Sequence, residues 1–408
     1  MKLLSKMMTR FVQVGQLKII DAEGEEHVFG PGGDGTPHAV AKIHDAALYN
    51  SLFVNPELKA GEAYMDGTLT MEEGYTIRDF LNVFALNRDA LRTQPIQKAL
   101  KTSLKKVRRF HQRNKVTKSR ENVQHHYDLS NDFYKLFLDK DMQYSCGYWP
   151  RKDITLEEAQ ELKKAHIASK LNLKKGMRVL DIGCGWGGMA MYIAENYDCE
   201  VVGVTLSDEQ HALGRERLKQ RGLTDKVDIR LQDYRHVEEK FDAVVSVGMF
   251  EHVGIAHYRE YFGKIRELLT DDGCALVHSI GRKGGPGTTG AWIRKYIFPG
   301  GYSPALSETL AEIEKEKLWV TDIEIWRLHY AETLLEWDNR FQKNRKKAAE
   351  MFDERFCRMW EFYLIVSEIA FRHGKHMNFQ IQLAKNVDAL PVARDYMHKA
   401  ESKLLRKK

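Results

Sequence analysis

The stretch VLDIGCGWGG, Val179 to Gly188, decides the fold of this 408-residue chain. It opens with apolar residues, as a buried strand does, and its glycines follow the spacing GxGxxG through Gly183, Gly185 and Gly188. Glycines are needed where a ligand approaches the backbone so closely that a Cβ atom would obstruct it. The stretch therefore predicts a strand, then a ligand-binding turn, then the start of a helix.

From this stretch onward, short apolar runs alternate with helical patterns, which is typical of a doubly wound sheet. Predicted strands lie at 179–182, 200–204, 227–231, 241–247, 275–280, 319–326 and 378–383. Predicted helices lie at 189–197, 209–221 and 258–269, and long helices are inserted between 333 and 372. We therefore expect an α/β fold built on a Rossmann-like sheet with helical insertions.

The N-terminal part of the chain follows a different pattern. Residues 16–29 read as two short strands around an Ala-Glu-Gly turn, and residues 38–84 alternate helical patterns with glycine-containing turns. This predicts a small α+β domain at 1–115, a basic linker to about 120, and a larger domain at 121–408. Two domains also agree with the chain length.

The segment Lys98 to Arg120 carries ten Lys or Arg residues and no Asp or Glu, although the net charge of the chain is only +6. Such a run is typical of a solvated helix or linker, or of a surface that docks on the phosphates of nucleic acid or anionic lipid. A nucleic-acid surface should interleave aromatic residues with the charge, and this run contains only Phe110. We therefore expect a lipid partner and no nucleic acid.

The cysteines and the apolar stretches indicate the setting of the protein. The five cysteines, at 146, 184, 199, 274 and 357, form no CxxC pair and no metal-ligand spacing. We interpret them as reduced thiols of a cytoplasmic protein without a metal site. The longest strongly apolar stretches, such as 243–250, are far shorter than the roughly 18 residues of a membrane-spanning helix, so any membrane contact is expected to be peripheral.

The residues around the glycine turn indicate its ligand. Asp181 stands two residues before the first glycine, where dinucleotide-binding folds usually carry an apolar residue. A carboxylate there suits a cation such as S-adenosylmethionine (SAM) better than a pyrophosphate. The next predicted strand ends in GVTLSDEQ, whose Thr205 and Gln210 can meet the hydroxyls of a ribose.

Together these motifs resemble the cyclopropane-fatty-acyl-phospholipid synthases, which use SAM to add a methylene across the cis double bond of a lipid acyl chain. The resemblance runs nearly end to end, through AGEAYMDG (60–67), HHYDLSNDFYKLFLD (125–139), QYSCGYW (143–149), VLDIGCGWGG, GVTLSDEQ (203–210), GMFEHVG (248–254), LVHSIG (276–281), IFPGG (297–301) and LHYAETLLEW (328–337). It implies a lipid-binding N-terminal domain and a methyltransferase domain. It also implies a homodimer that acts on unsaturated phospholipid at the inner face of the membrane.

The resemblance further implies which residues form the site. SAM would be bound by Tyr144, Ser145, Gly183, Gly185, Thr205 and Gln210, beside Asp181. A bicarbonate ion would be held by Cys146, Glu251, His278, Tyr330 and the backbone of Ile280. Where mycobacterial relatives carry a Trp near the adenine, this chain has Tyr234.

The reaction itself explains these residue types. An alkene that attacks the sulfonium methyl group leaves a carbocation on the acyl chain, so water must be excluded, and ring closure needs a base to take a proton from the new methyl group. Bicarbonate can be that base, with Glu251 and His278 holding it and carrying the proton onward. Aromatic faces stabilise a cation without attacking it, which suits Tyr127, Phe250 and Tyr330 as wall residues.

The segment from Ser279 to Pro304 is rich in glycine and aromatic residues and follows the fifth predicted strand. It is predicted to be a mobile lid for acyl-chain entry, or else a surface loop. Three other functions stay open: a nucleic-acid methyltransferase, methylation of an unsaturated chain without ring closure, and a lipid-binding protein with a degenerate site. The complete bicarbonate set favours ring closure, and the intact glycines and acid/base residues favour an active enzyme.

Overall fold

The computed structural model describes residues 1–88 and 129–406. In chain order the strands are β1 (Gly15–Ile20), β2 (Glu26–Gly32), β3 (His38–Ile43), β4 (Leu69–Met71), β5 (Arg178–Ile182), β6 (Glu200–Thr205), β7 (Val227–Leu231), β8 (Phe241–Val247), β9 (Leu269–Arg282), β10 (Trp319–Trp326) and β11 (His376–Ala384). The helices are α1 (Lys2–Phe11), α2 (Leu48–Val54), α3 (Pro56–Met65), α4 (Ile77–Leu86), α5 (Asn131–Tyr134), α6 (Leu156–Lys170), α7 (Gly188–Tyr197), α8 (Asp208–Arg221), α9 (Tyr258–Leu268), α10 (Ala291–Tyr296), α11 (Leu306–Lys315), α12 (His329–Lys343), α13 (Arg345–Met351), α14 (Glu354–Arg372) and α15 (Asp395–Arg406).

These elements form two units. The first comprises residues 1–88, Thr288–Pro299 and Leu334–Lys375, and the second comprises residues 129–287, Gly300–Thr333 and 376–406. The predicted domain boundary near 115–120 and the basic run lie outside the described residues.

The first unit contains a four-stranded sheet in the order β2-β1-β3-β4. Two predicted strands are present as β1 and β2, but the helical pattern assigned from residue 38 onward was wrong at its start. Residues 38–43 form β3, which pairs in parallel with β1 and alternates buried and more exposed side chains. An alternation over six residues is the period of a strand, and pairing with β1 holds it in that form.

Two later segments that the sequence placed in the 121–408 domain belong to this first unit. Trp292 of α10 is buried, and its ring centroid lies 4.6 Å from that of Phe362 of α14. Gly61 of α3 leaves the space for this indole, because a Cβ there would lie 2.5 Å from Trp292. The predicted lid therefore includes a short helix packed on the first unit, while its mobility remains a prediction.

The second unit confirms the doubly wound sheet. Its seven strands lie in the order β10-β11-β9-β8-β5-β6-β7, and β11 runs antiparallel to both of its neighbours. Consecutive strand residues contribute to opposite faces: Val179, Val201 and Ala243 belong to one hydrophobic cluster, and Leu180 and Val202 belong to the other. Burial on both faces explains why these strands read as continuous apolar runs.

The strand order places a ligand site. The chain continues from β5 to β6 and β7 on one side and returns to β8 on the other, so the order reverses between β5 and β8. Ligands of doubly wound sheets bind outside the carboxyl ends of the strands at such a point.

Within residues 1–88 and 129–406, no helix has the length and apolar character needed to cross a membrane.

Candidate functional site

A cavity lies at the carboxyl ends of β5, β6, β7 and β8, at the point where the strand order reverses. All seven residues predicted to bind SAM line it: Tyr144, Ser145, Asp181, Gly183, Gly185, Thr205 and Gln210. The seven residues that the sequence assigns to one site therefore lie together in the structure. Their contact with SAM stays a prediction for each residue.

The glycine turn shapes one wall of this cavity. Gly183 and Gly185 have φ angles of +78° and +55°, which favour glycine. A Cβ on Gly185 would meet no atom within 4 Å, so it would project into open space beside the cavity. Gly188 serves packing instead, because a Cβ there would collide with the side chain of Gln143.

Asp181 supplies the cavity with a buried acid. Its side chain is 1% exposed, and its Oδ2 has no hydrogen-bond partner among the described residues. Burial raises the pKa of Asp181 to about 7, although the Lys163 ammonium opposes this rise. A cationic ligand in the cavity would stabilise the ionised carboxylate, so the residue fits SAM.

The far wall carries the polar residues predicted for the ribose. Thr205 Oγ donates to Gln210 Oε1 at 2.9 Å, and both side chains are buried. Tyr234, predicted near the adenine, lines the cavity beside Asp233 and Arg235. Arg235 binds the Asp233 carboxylate through Nη2 at 2.6 Å, a pair that was not predicted although both residues flank Tyr234 in the sequence.

Sequence reasoning also missed Lys163, which lies behind the segment 143–145. Its Nζ lies 2.5 Å from Gln143 Oε1 and 2.8 Å from Ser145 Oγ, and burial lowers its pKa to about 8. An ammonium can only donate, so Ser145 Oγ accepts from it and keeps its own proton for the cavity. A lysine in a helix rich in charged residues gives no sequence signal of such a role.

The predicted bicarbonate set is distributed over four segments of the chain. Glu251 follows β8, and its Oε1 accepts a hydrogen bond from the backbone N–H of Ile280 in β9 at 2.6 Å. Its Oε2 is buried without a partner in the described part of the chain, and burial raises the pKa of Glu251 to about 7. The structure therefore joins Glu251 to Ile280, but it commits the N–H of Ile280 to the carboxyl group.

His278 lies on β9, two residues before Ile280, and is 1% exposed. Gln380 and Asn378 of β11 face its two ring nitrogens. Burial lowers the pKa of His278 to about 3, and the cations of Lys163 and Lys170 act in the same direction. The imidazole is therefore neutral at pH 7.

Cys146 and Tyr330 lie in neighbouring segments. Gly147, next to Cys146, donates its backbone N–H to Thr333 Oγ at 3.0 Å, and Thr333 stands about one helical turn after Tyr330 in α12. Cys146 is buried, which raises its thiol pKa well above the usual value. Neither these two residues nor Glu251 and His278 are among the residues that line the SAM cavity, so a common ion site stays a prediction.

The wall role predicted for Phe250 stays a prediction. Phe250 is fully buried, and its ring lies 4.4 Å from that of Tyr258 and 5.0 Å from that of Tyr261, inside the hydrophobic core. Tyr127 lies outside the described residues.

Comparison with known proteins identifies the family of this chain. The family described as mycolic acid cyclopropane synthetase matches residues 114–381. A probable fatty acid methyltransferase of Pseudomonas putida is 40% identical over 367 residues, 88% of this chain and 89% of that protein. The cyclopropane-fatty-acyl-phospholipid synthase of Escherichia coli K12 is 44% identical over 270 residues, 66% of this chain and 69% of that protein.

Solved structures give the same result. The cyclopropane synthase MmaA2 of Mycobacterium tuberculosis matches with a TM-score of 0.62 and 33% identity, over 65% of this chain and 98% of that one. The mycolic acid cyclopropane synthase CmaA1, solved with SAH and CTAB, matches with a TM-score of 0.61 and 34% identity, over 65% of this chain and 97% of that one. The chain therefore belongs to the cyclopropane synthase family and is a SAM-dependent methyltransferase.

Proposed function

We propose that this methyltransferase transfers a methylene from SAM to the cis double bond of an unsaturated phospholipid acyl chain and closes a cyclopropane ring. The observation that carries the proposal is a pair of buried acids, Asp181 in the SAM cavity and Glu251 after β8, each with one carboxyl oxygen that has no partner among the described residues. One acid suits a cationic methyl donor, and the other is poised near neutral pH to move a proton. The name of the Escherichia coli relative supports the phospholipid substrate.

The chain's own residues prepare the cavity for SAM, which supplies an electrophilic methyl group when bound. Asp181 favours a positive charge there, and the Gly185 backbone leaves room for close approach. Ser145, held by Lys163, turns a hydroxyl donor toward the ligand. These groups bind and orient the donor without themselves reacting.

Ring closure requires loss of a proton, and bicarbonate is the base we propose. The side chains assigned to it suit an oxyanion, because burial keeps the Cys146 thiol protonated, and His278 is neutral. Glu251 is about half protonated near pH 7 and can then donate as well. Neutral donors can surround an anion without adding a second negative charge.

A second candidate is methylation of an unsaturated chain without ring closure. It is favoured by the Pseudomonas putida relative, a probable fatty acid methyltransferase that covers more of this chain than the Escherichia coli synthase does. Both reactions begin with methyl transfer to the alkene and differ in where the proton is lost. The two reactions are distinguished by their product, which is either a cyclopropane or a methylated chain that keeps its unsaturation.

We also propose that the enzyme works at the cytoplasmic face of the membrane as a homodimer. The first unit and the basic run would hold it on anionic lipid, with about 1 kcal/mol per Lys or Arg near the surface. The ten basic residues of Lys98 to Arg120 support this attachment by their charge alone.

The test is incubation with SAM and vesicles of monounsaturated phospholipid, followed by mass spectrometry and NMR of the acyl chains. Gain of one methylene with loss of the vinyl protons supports cyclopropanation. Gain of the same mass with vinyl or exomethylene protons retained supports the second candidate. Degassed buffer with bicarbonate restored at the end tests the base: turnover that does not recover with bicarbonate contradicts its role.

A further inference from the structure

The environment of His278 determines which ring nitrogen carries the proton. Gln380 of β11 is the cross-strand neighbour of His278 of β9. Its Nε2 lies 3.0 Å from His278 Nδ1, and Asn378 Nδ2 lies 3.2 Å from His278 Nε2. All three side chains are 1% exposed, so water does not compete for these bonds.

Lys170 at the end of α6 fixes the orientation of the Gln380 amide. Lys170 Nζ lies 2.6 Å from Gln380 Oε1, and an ammonium group has donors only, so the amide oxygen must face Lys170. The NH₂ group of Gln380 then faces His278 and can only donate. Nδ1 of His278 is therefore the acceptor and carries no proton.

The charge of Lys170 is maintained by a carboxylate. Burial lowers the pKa of Lys170, but Glu324 of β10 binds the same ammonium and also accepts from His166 Nε2 at 2.7 Å. His166 in turn lies 2.9 Å from Glu401 of α15. The ammonium therefore belongs to a continuous polar network, which keeps it a donor toward Gln380.

We propose that Lys170, acting through Gln380, fixes His278 as its Nε2–H tautomer and makes it a hydrogen-bond donor rather than a proton acceptor. A neutral imidazole has one N–H, and Gln380 leaves only Nε2 to carry it. That N–H must donate to an oxygen. One candidate is Oδ1 of Asn378, which is buried without a partner among the described residues and would face Nε2 after rotation of the amide. The other is an oxygen of a bound anion. Lys170 and Gln380 are thus positioning residues.

This proposal deepens the proposed function and rests on it for its catalytic meaning. Sequence reasoning allowed both Glu251 and His278 to carry the proton onward, whereas a fixed Nε2–H tautomer leaves His278 with no free lone pair. Glu251, with an unpartnered Oε2 and a pKa of about 7, is then the side chain that can accept a proton. His278 contributes by orienting the anion.

The tautomer can be measured directly on the full-length protein without any substrate. In protein labelled with ¹⁵N-histidine, two-dimensional ¹H–¹⁵N spectra distinguish protonated from unprotonated ring nitrogens, and His278 is assigned from the signal lost in His278→Gln. We expect Nδ1 to be unprotonated and Nε2 to carry the proton. A protonated Nδ1 in the parent overturns the proposal, whatever the variants do.

Two variants test the part played by Gln380. In Gln380→Glu the carboxylate can only accept, so His278 must protonate Nδ1, and its spectrum should change to the Nδ1–H or doubly protonated pattern. Gln382→Glu is the matched control, since Gln382 lies two residues along β11 and donates to the backbone oxygen of Lys170 and to Tyr396 instead. An unchanged His278 spectrum in Gln380→Glu, or the same change in both variants, refutes the role of Gln380.

Turnover gives the second readout. Gln380→Glu should lower kcat about tenfold or more, the effect of losing one oriented hydrogen bond, while the KM for SAM stays unchanged. If the tautomer is as expected but the parent forms no cyclopropane, the proposed function fails and the positioning role stands. If the tautomer switches while kcat and the bicarbonate response stay the same, the donor role of His278 is wrong.

Discussion

Glu251→Gln is expected to stabilise the folded protein at high pH while removing most of its activity. Gln keeps the shape of the side chain and an oxygen to accept the N–H of Ile280, which now lies 2.6 Å from Oε1. It cannot ionise. The buried Oε2 has no partner in the described part of the chain, and burial outweighs the hydrogen bonds from Ile280 and Ser279 that favour the ionised form of Glu251.

The magnitude follows from the pKa. Burial raises the pKa of Glu251 from 4.5 to about 7, which corresponds to about 3 kcal/mol. Between these values the unfolded chain has released a proton that the folded chain still holds, so the stability of the parent falls as pH rises through 4.5 to 7 and then levels off. Relative to the parent, the variant should therefore gain about 3 kcal/mol between pH 4 and pH 8.

The assay is the thermal unfolding midpoint of both proteins, without SAM, across this pH range. The gain of the Glu251→Gln variant over the parent should grow by several degrees from acid to alkaline pH, whatever constant offset the new amide adds. Glu62→Gln is the matched control: burial raises the pKa of Glu62, but hydrogen bonds from Lys295, Lys59 and Tyr296 outweigh this and hold it at about 2. That variant should lose stability evenly above pH 5.

A pH-independent difference between Glu251→Gln and the parent would refute the raised pKa. Loss of the proton-removal step should lower turnover on vesicles by about 10² to 10⁴. A variant that keeps parental turnover and responds to bicarbonate as the parent does would show that another group accepts the proton.

The other predictions concern the cofactor, the membrane and the first unit. Gly185→Ala should weaken SAM binding in calorimetry, whereas Gly176→Ala, which has a similar positive φ and open space but is exposed and does not line the cavity, should not; equal losses would mean that backbone strain alone is responsible. Asp181→Asn should weaken SAM binding and abolish the rise of affinity with pH up to about 7, since SAM favours the ionised acid; an unchanged pH profile would contradict this. Four residues of the basic run can be exchanged for Gln together: Lys105, Lys106, Arg108 and Arg109. This exchange should weaken binding to anionic vesicles, increasingly so at low salt, and leave SAM affinity intact; unchanged vesicle binding favours a solvated linker. Gly61→Ala should lower the unfolding midpoint because its Cβ meets an indole at 2.5 Å; a gain, as helix propensity alone predicts, would refute that packing.

The parts of the site that could be predicted from the sequence are those that depend on local geometry. Asp181, Gly183 and Gly185 lie within five residues of one strand end, so their proximity follows from the strand and turn alone. Thr205 joins them because β6 pairs in parallel with β5, and parallel strands end at the same edge. This proximity does not depend on contacts with other parts of the chain.

The parts that could not be predicted depend on contacts between distant segments. Lys163 meets Ser145 from the next helix, and Lys170 reaches Gln380 across more than two hundred residues. In the sequence both lysines look like the polar face of an amphipathic helix, because burial, and not residue type, gives them their role. Trp292 likewise joins the first unit through a contact with Phe362 that no local pattern encodes.

The acids of this chain differ in how well the protein itself compensates their charge. Asp141 is only partly buried, and its ion pairs with Lys164 and Arg217 outweigh that burial and lower its pKa, so its charge is compensated within the protein. Asp181 and Glu251 lack such partners in the described part of the chain, and each raised pKa costs about 3 kcal/mol or more at alkaline pH, a large share of the 5 to 15 kcal/mol that stabilises a typical domain. Asn and Gln would fill the same volumes without that cost. Both acids lie beside the ends of β5 and β8, the two strands between which the sheet order reverses, so the cost falls where a ligand can compensate it.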